Sequence, residues 1–285
     1  MFTPPLALAS LSGEADAEWA KLGSEWAGCG FVGGVSLDEP TREAARELVA
    51  RDRSEFLPED PTAFIDAQLA ALADVDIRAG VNVRTTSTAP LREAAGVAAD
   101  HDAILEVNAH CRQDELCAVG AGETLLRDTD RLCEYVRCAS EAGAAVGAKV
   151  RAETGVDLPT LASELESAGA DCLHVDCMDT ESVVADIADA CDLFLVANNG
   201  VRDRATVREY LDYGADAHGV GSVVEVLARE SDPRRAGGTR APARSRRHAQ
   251  AGERGPPPRP RRPPVRALPR GCGRRERRPS GGRRG

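Results

Sequence analysis

The sequence predicts a (β/α)8 barrel, and three observations carry that prediction. Eight short apolar segments recur along residues 1–232, separated by stretches rich in Ala, Glu, Arg and Leu that favour helix. Three helix-to-strand junctions repeat one pattern, "EAGAAV", "SAGADCL" and "DYGADAH", in which glycine stops a helix and an apolar run follows at once. Eight such units in about 230 residues are close to the ~250 residues usual for this barrel. A doubly wound open sheet is the competing architecture.

The strands are predicted, in order, at 6–10 (LALAS), 30–36 (GFVGGVS), 78–84 (RAGVNVR) and 103–109 (AILEVNA). They continue at 145–151 (AVGAKVR), 172–176 (CLHVD), 193–198 (LFLVAN) and 217–221 (AHGVG). Each is short, mostly apolar and bounded by polar or glycine residues, as parallel strands covered on both faces require. Helices are expected between them, among others over 40–52, 122–142, 157–168, 180–190 and 203–213. A barrel presents its chemistry at the C-terminal ends of its strands. Those ends carry Arg84, Asn108 and Cys111, then Lys149, His174 and Asp176, then Asn198, Asn199 and the glycines that follow.

From Pro233 onward the periodicity stops. The segment 233–285 holds 18 of the 36 basic residues, all arginine, and only two of the 46 acids, Glu253 and Glu276. Its Arg, Pro and Gly content predicts a disordered tail. Residues 1–232 therefore carry 18 basic against 44 acidic residues, a net of −26, and their only lysines are Lys21 and Lys149. An acidic surface so poor in lysine points to a halophilic cytoplasm, where salt screens its self-repulsion; an acidic mesophilic protein explains the charge but not the lysine scarcity. Nine scattered cysteines with no CxxC pair, and no apolar run of the length that spans a bilayer, fit a reduced cytoplasm and no membrane. Proteolysis is expected to trim the chain near 232 and leave a stable core; a core that precipitates on that truncation refutes the boundary.

Four features carry chemistry. Lys149 stands inside a strand in a body almost without lysine; a buried amine is costly unless paired or employed. It is read as a Schiff-base amine or as a cation facing an anionic cofactor, with a surface-directed strand end as the plain alternative. His174 shares a strand face with Cys172 and Asp176, as a core histidine or a ligand contact. "NNGV" (198–201) and "GVGS" (219–222) end the last two strands, where barrels often bind phosphate through backbone N–H groups. Cys111 lies past a strand end between His110 and Arg112, ahead of Gly120 and Gly122, a setting of reactive thiols as well as of half-buried inert ones. The Cys and His spacings match no common zinc pattern.

The stretch "EVNAHCRQDELCAVGAGETLLRDTDRLCEYVRC" (106–138) resembles the signature of the tRNA-dihydrouridine synthases, flavin-dependent (β/α)8 barrels related to dihydroorotate dehydrogenases. "VGAKVR" is similar to that family's Lys-x-Arg strand, "LHVD" to its histidine strand, and "VANNGVRDRATVREYLDYGADAHGVGS" to its phosphate-binding end. The resemblance runs in order over roughly 6–230 and is strongest from 104 to 222. It implies an FMN cofactor and reduction of the 5,6 double bond of a uracil-type base, with Cys111 as proton donor and Asn108 positioning the base. It implies further that Lys149, His174 and Asn82 contact FMN and that Asn199, Gly200, Gly219 and Gly221 grip its phosphate. A reduced nicotinamide nucleotide is the implied electron donor.

The chain also departs from the family. It has His110-Cys111-Arg112 for Gly-Cys-Pro, "LASL" for the N-terminal Ala-Pro-Met, and Ser222 where an arginine usually follows the last glycine; the helical tRNA-gripping domain is replaced by the basic tail. A body of net −26 repels a polyanion, so a small pyrimidine is the alternative substrate to tRNA. A non-redox barrel binding another phosphorylated ligand is the third reading.

Overall fold

A computed structural model describes residues 1–199 and 204–221. Eight parallel strands close into a barrel in sequence order: β1 (Leu6–Leu8), β2 (Cys29–Ser36), β3 (Arg78–Arg84), β4 (Ile104–Asn108), β5 (Ala145–Arg151), β6 (Cys172–Asp176), β7 (Phe194–Asn198) and β8 (Ala217–Val220). The closing pair aligns Leu6 with His218 and Leu8 with Val220. The open-sheet alternative is thereby excluded. Every predicted strand is present, most within one residue of its expected bounds. The largest difference is at β1, which ends at Leu8, although the Ala9 N–H still donates to the Val220 carbonyl of β8 at 2.9 Å.

The helices are α1 (Ala17–Gly23), α2 (Glu39–Val49), α3 (Pro61–Ala70), α4 (Thr88–Asp100) and α5 (Asp114–Ala118), followed by α6 (Glu123–Arg127), α7 (Thr129–Glu141), α8 (Leu158–Ala168), α9 (Val183–Ala190) and α10 (Arg204–Asp212). Aspartates begin many of them, because a carboxylate there accepts the otherwise unpaired first-turn N–H groups. Asp16 accepts from Trp19, Asp38 from Thr41, Asp60 from Thr62 and Ala63, and Asp157 from Thr160. One long helix was expected over 122–142, and here two form. Asp128 closes α6 and caps α7 by accepting from the Arg131 amide, so the chain restarts its helix at Thr129. At the three repeated junctions Gly143, Gly169 and Gly214 all adopt left-handed φ near +96 to +100°, which glycine enters without the steric cost of a side chain.

The strand residues alternate between two environments. Val81, Val83, Leu105, Val107, Ala148, Val150, Leu173 and Val175 point outward and pack with the helices into the main core. Inside the barrel, the floor is a separate apolar cluster that includes Phe31, Ile104, Cys172 and Val196. Above that floor the interior turns polar, with Asn82, Arg84, Glu106, Asn108, Lys149, His174 and Asp176 each at most 3% exposed. Among the described residues no helix is long and apolar enough to cross a membrane. The expected tail, 233–285, lies outside the described residues.

Candidate active site at the C-terminal mouth of the barrel

Strand register builds the site. Asn108 on β4 lies beside Lys149 on β5, which lies beside His174 on β6, while Asn82 on β3 lies beside Glu106 on β4. A single hydrogen-bond chain crosses these strands. His174 Nδ1 meets Glu106 Oε1 at 2.7 Å, and Asn82 Nδ2 donates to Glu106 Oε2 at 2.6 Å. Asn108 Nδ2 then donates to Asn82 Oδ1 at 2.9 Å. Asn108 Oδ1 in turn accepts from the backbone N–H of Cys111 at 3.2 Å and of His110 at 3.3 Å.

The Asn108 amide was expected to hold a substrate base by its edge, and Asn82 to contact a cofactor. Both amides also hydrogen-bond within the protein, and Asn108, which lines the cavity, holds the turn that carries Cys111. The center of the chain, Glu106, was not anticipated. A carboxylate in mid-strand, two residues before Asn108 and hence on its face, was the available signal.

The electrostatics follow from burial. Desolvation alone would raise the Glu106 carboxyl, but the charge and hydrogen bond of His174, with Lys149 and Asn82, bring it below its ordinary value. Burial and then the Lys149 charge lower His174, so its ring is neutral near pH 7. Burial, with Lys149 next, puts His110 well below its ordinary value. Lys149 is itself lowered by burial, against the opposing pull of Glu106 and Asp176. Its ammonium makes no hydrogen bond or ion pair with any described residue, although neighbouring Arg151 pairs with Asp176 at 2.8 Å. His174 Nε2 is also buried without a partner.

These shifts make a stability prediction. His110, His174 and His218 all have depressed folded values, so the unfolded chain binds more protons below about 6.5. Glu106 is depressed as well, and its contribution is lost as pH falls below its ordinary 4.5. The melting temperature, read in about 1 M salt so that surface carboxylates are screened, is expected to be higher near pH 7 than at any lower pH and to fall steadily from 6.5 toward 4.5. A level profile across that range refutes the buried neutral histidines.

Cys111 is half-buried, on the wall of a cavity of about 410 Å³ that also includes Ser10, Ser12, Glu55, Arg84, Asn108 and His110. Its turn is held from three sides. Asn108 takes its N–H, while its carbonyl accepts from Glu123 N at 2.8 Å and from Cys117 Sγ at 3.4 Å. Gly122, at φ +57°, packs flat on that carbonyl where a Cβ would collide with it. Gly122 thus seats the Cys111 turn at the start of α6, while the Gly120 carbonyl accepts from Arg131. Gly122→Ala is expected to cost roughly 1–3 kcal/mol, the usual range for strain at a special backbone position, measured by denaturant unfolding; an unchanged midpoint refutes the tight seating. Arg112, half exposed, pairs with Glu153 at 2.7 Å and Glu123 at 3.2 Å.

Sequence reasoning noted Arg84 only as a strand end. It is 3% exposed, pairs with Glu55 at 2.6 Å and also contacts Ser12, tying two loops to the end of β3 at the cavity wall. At the last two strands, Gly219 faces inward, and a Cβ there would come within 2.7 Å of His174 Nε2 and 2.8 Å of Asn198 Oδ1. Asn199 is left-handed, at φ +66°, with its side-chain amide donating to Asp176 at 2.6 Å and its carbonyl accepting from the Tyr210 hydroxyl. Gly221 is exposed beside Leu11. Gly200 lies outside the described residues.

The fold and this polar mouth define the class: a (β/α)8 barrel with its candidate chemistry at the C-terminal strand ends. No family model matches the chain. It is 26% identical over 219 residues to an uncharacterized protein of Methanocaldococcus jannaschii, covering 72% of this chain and 84% of that one. Among solved structures it resembles a putative phosphonomutase of Burkholderia cenocepacia J2315, with 16% identity, TM-score 0.53, and coverage of 80% and 90% of the two chains. FabK of Thermotoga maritima matches at 18% identity and TM-score 0.47, over 76% of this chain and 57% of that one. At such identities the first structural likeness shows the fold alone, and the FabK match is too slight to carry more.

Proposed function

We propose that the chain is an FMN-dependent oxidoreductase that reduces the 5,6 double bond of a uracil-type base, similar in chemistry to the tRNA-dihydrouridine synthases. The observation that carries this reading is the buried ammonium of Lys149, which pairs with none of the described residues and stands in register with Asn108 and His174, at the mouth where Cys111 opens on a cavity. A buried cation that touches no counter-ion is retained where a ligand supplies one in direct contact. The residues fit such a ligand. Lys149 would face the anionic part of a heterocycle and the unpartnered His174 Nε2 one of its N–H or O–H groups, and Gly219 leaves room at the strand end where a side chain would intrude. Gly221 and Asn199 stand at the same end for a phosphate; Gly200 completes the set by sequence. FMN held there would supply the hydride, refilled from a reduced nicotinamide nucleotide.

The chain's own residues do the rest. Arg84, Glu55 and His110 line the cavity where the base would sit. Asn108 fixes the Cys111 turn, and the Cys111 thiol gives the proton to the second ring carbon. A thiol is suited to this, with an ordinary pKa of about 8.5. The substrate proposed is uridine in tRNA. The acidic body, net −26 over residues 1–232, favours a free pyrimidine as the second reading.

Purification in high salt with added FMN, followed by desalting, tests the cofactor: a colourless protein refutes the redox reading. Dihydrouridine in tRNA from a deletion strain separates the two substrates. Loss of that nucleoside supports tRNA, and an unchanged content refutes it.

A further inference from the structure

We propose that Glu106 sets the polarity of the hydrogen-bond chain, and thereby decides both which nitrogen of His174 carries the proton and how Asn108 grips the Cys111 turn. A carboxylate only accepts hydrogen bonds, whereas a carboxamide both donates and accepts. Because Glu106 Oε2 accepts, Asn82 must turn its N–H toward it and its Oδ1 toward Asn108. Asn108 must then turn its own N–H toward Asn82 and its Oδ1 toward the amides of His110 and Cys111. Those amides are donors only, so the far end of the chain demands the same orientation. On the other arm Glu106 Oε1 obliges His174 to donate from Nδ1, which leaves Nε2 as a bare acceptor on the Gly219 side.

Glu106 is completely buried and no part of the cavity wall, so it is a positioning residue rather than a catalytic one. The ligand that fills the mouth must offer Nε2 a donor, an N–H or O–H. The use of this arrangement in catalysis rests on the reduction proposed above; the polarity itself does not.

Glutamine at this position cannot accept on both arms. In Glu106→Gln the Cys111 end of the chain stays pinned by its backbone donors, so the new carbonyl must face Asn82. Its NH2 then faces His174, whose Nδ1 has to accept and whose proton moves to Nε2. Asn82→Ala does the converse: it cuts the arm to Asn108 and leaves the His174–Glu106 contact in place.

Nitrogen-15 spectra of histidine-labelled full-length protein read the tautomer, with the His174 signals assigned by their loss in His174→Gln. Wild type and Asn82→Ala are expected to show Nδ1–H, and Glu106→Gln to show Nε2–H. Iodoacetamide labelling of Cys111, followed by peptide mass spectrometry, reads the other arm. It is expected to match wild type in Glu106→Gln and to run about tenfold faster in Asn82→Ala, since losing one buried hydrogen bond of about 1.4 kcal/mol loosens the turn by that factor. An Nε2–H tautomer in wild type overturns the proposal outright, even if Glu106→Gln does not fold. So does an Nδ1–H tautomer in Glu106→Gln, or unchanged labelling in Asn82→Ala. None of these readouts uses flavin or turnover, so a failed redox assignment leaves them intact.

Discussion

Cys111→Ser is expected to keep flavin bound and to lower uracil-ring reduction about 10²–10⁴-fold, the usual contribution of a positioned general acid. Saturating the double bond needs a hydride on one ring carbon and a proton on its neighbour. The protein must supply the proton from a group within about 3 Å of that carbon. Cys111 is the thiol on the cavity wall, and its backbone is fixed by Asn108, Glu123 and Cys117. A serine hydroxyl fits the same space and is far too weak an acid to replace it. Lys149 and His174 are untouched by the change, which is why retention of flavin should not alter. Cys117→Ser is the control: its sulfur only caps the Cys111 carbonyl, and a hydroxyl can do the same. Wild-type turnover in Cys111→Ser removes the assigned role, and equal losses in the two variants point to a fault in packing rather than in proton donation.

Lys149→Met is expected to weaken FMN binding roughly 10–100-fold while leaving the flavin-free protein equally stable or more so. The two effects have one cause. The ammonium is buried at 2% exposure without a partner among the described residues, so replacing it with an apolar chain of similar length relieves a desolvation cost. Under the proposed function the same ammonium would make a charge-assisted bond to an anionic ligand, worth about 1.5–3 kcal/mol, and each 1.4 kcal/mol is tenfold in affinity. Titration of apoprotein with FMN and melting of the unliganded chain measure the two separately. A variant that melts lower and binds FMN as before would make Lys149 a structural residue.

The barrel was legible because its signals are local. Apolar runs of four to eight residues, aspartates ahead of helices, and glycines at left-handed helix ends depend on neighbours in sequence. Accordingly the strands fell close to their expected positions, and Gly143, Gly169 and Gly214 adopted the left-handed turns that their junctions required. The misjudged helix over 122–142 was also a local matter: a caps-and-restart signal at Asp128 outweighed a continuous amphipathic pattern.

The candidate site was legible only as residues at strand ends. Sequence by itself determined that Asn108, Cys111, Lys149 and His174 would share one end of the barrel, since strand alternation and parallel order allow nothing else. Tertiary structure decided what each of them touches. It turned the Asn82 and Asn108 amides toward the protein, gave Arg112 to Glu153 and Glu123, and left Lys149 without a partner among the described residues. It also brought Glu55 from the α2–α3 loop onto Arg84, and Glu106 between His174 and Asn82. Hydrogen-bond partners 24 to 68 residues apart meet only once the barrel has closed. Their pairing depends on strand register and side-chain direction to within an ångström, which periodicity along the chain does not encode.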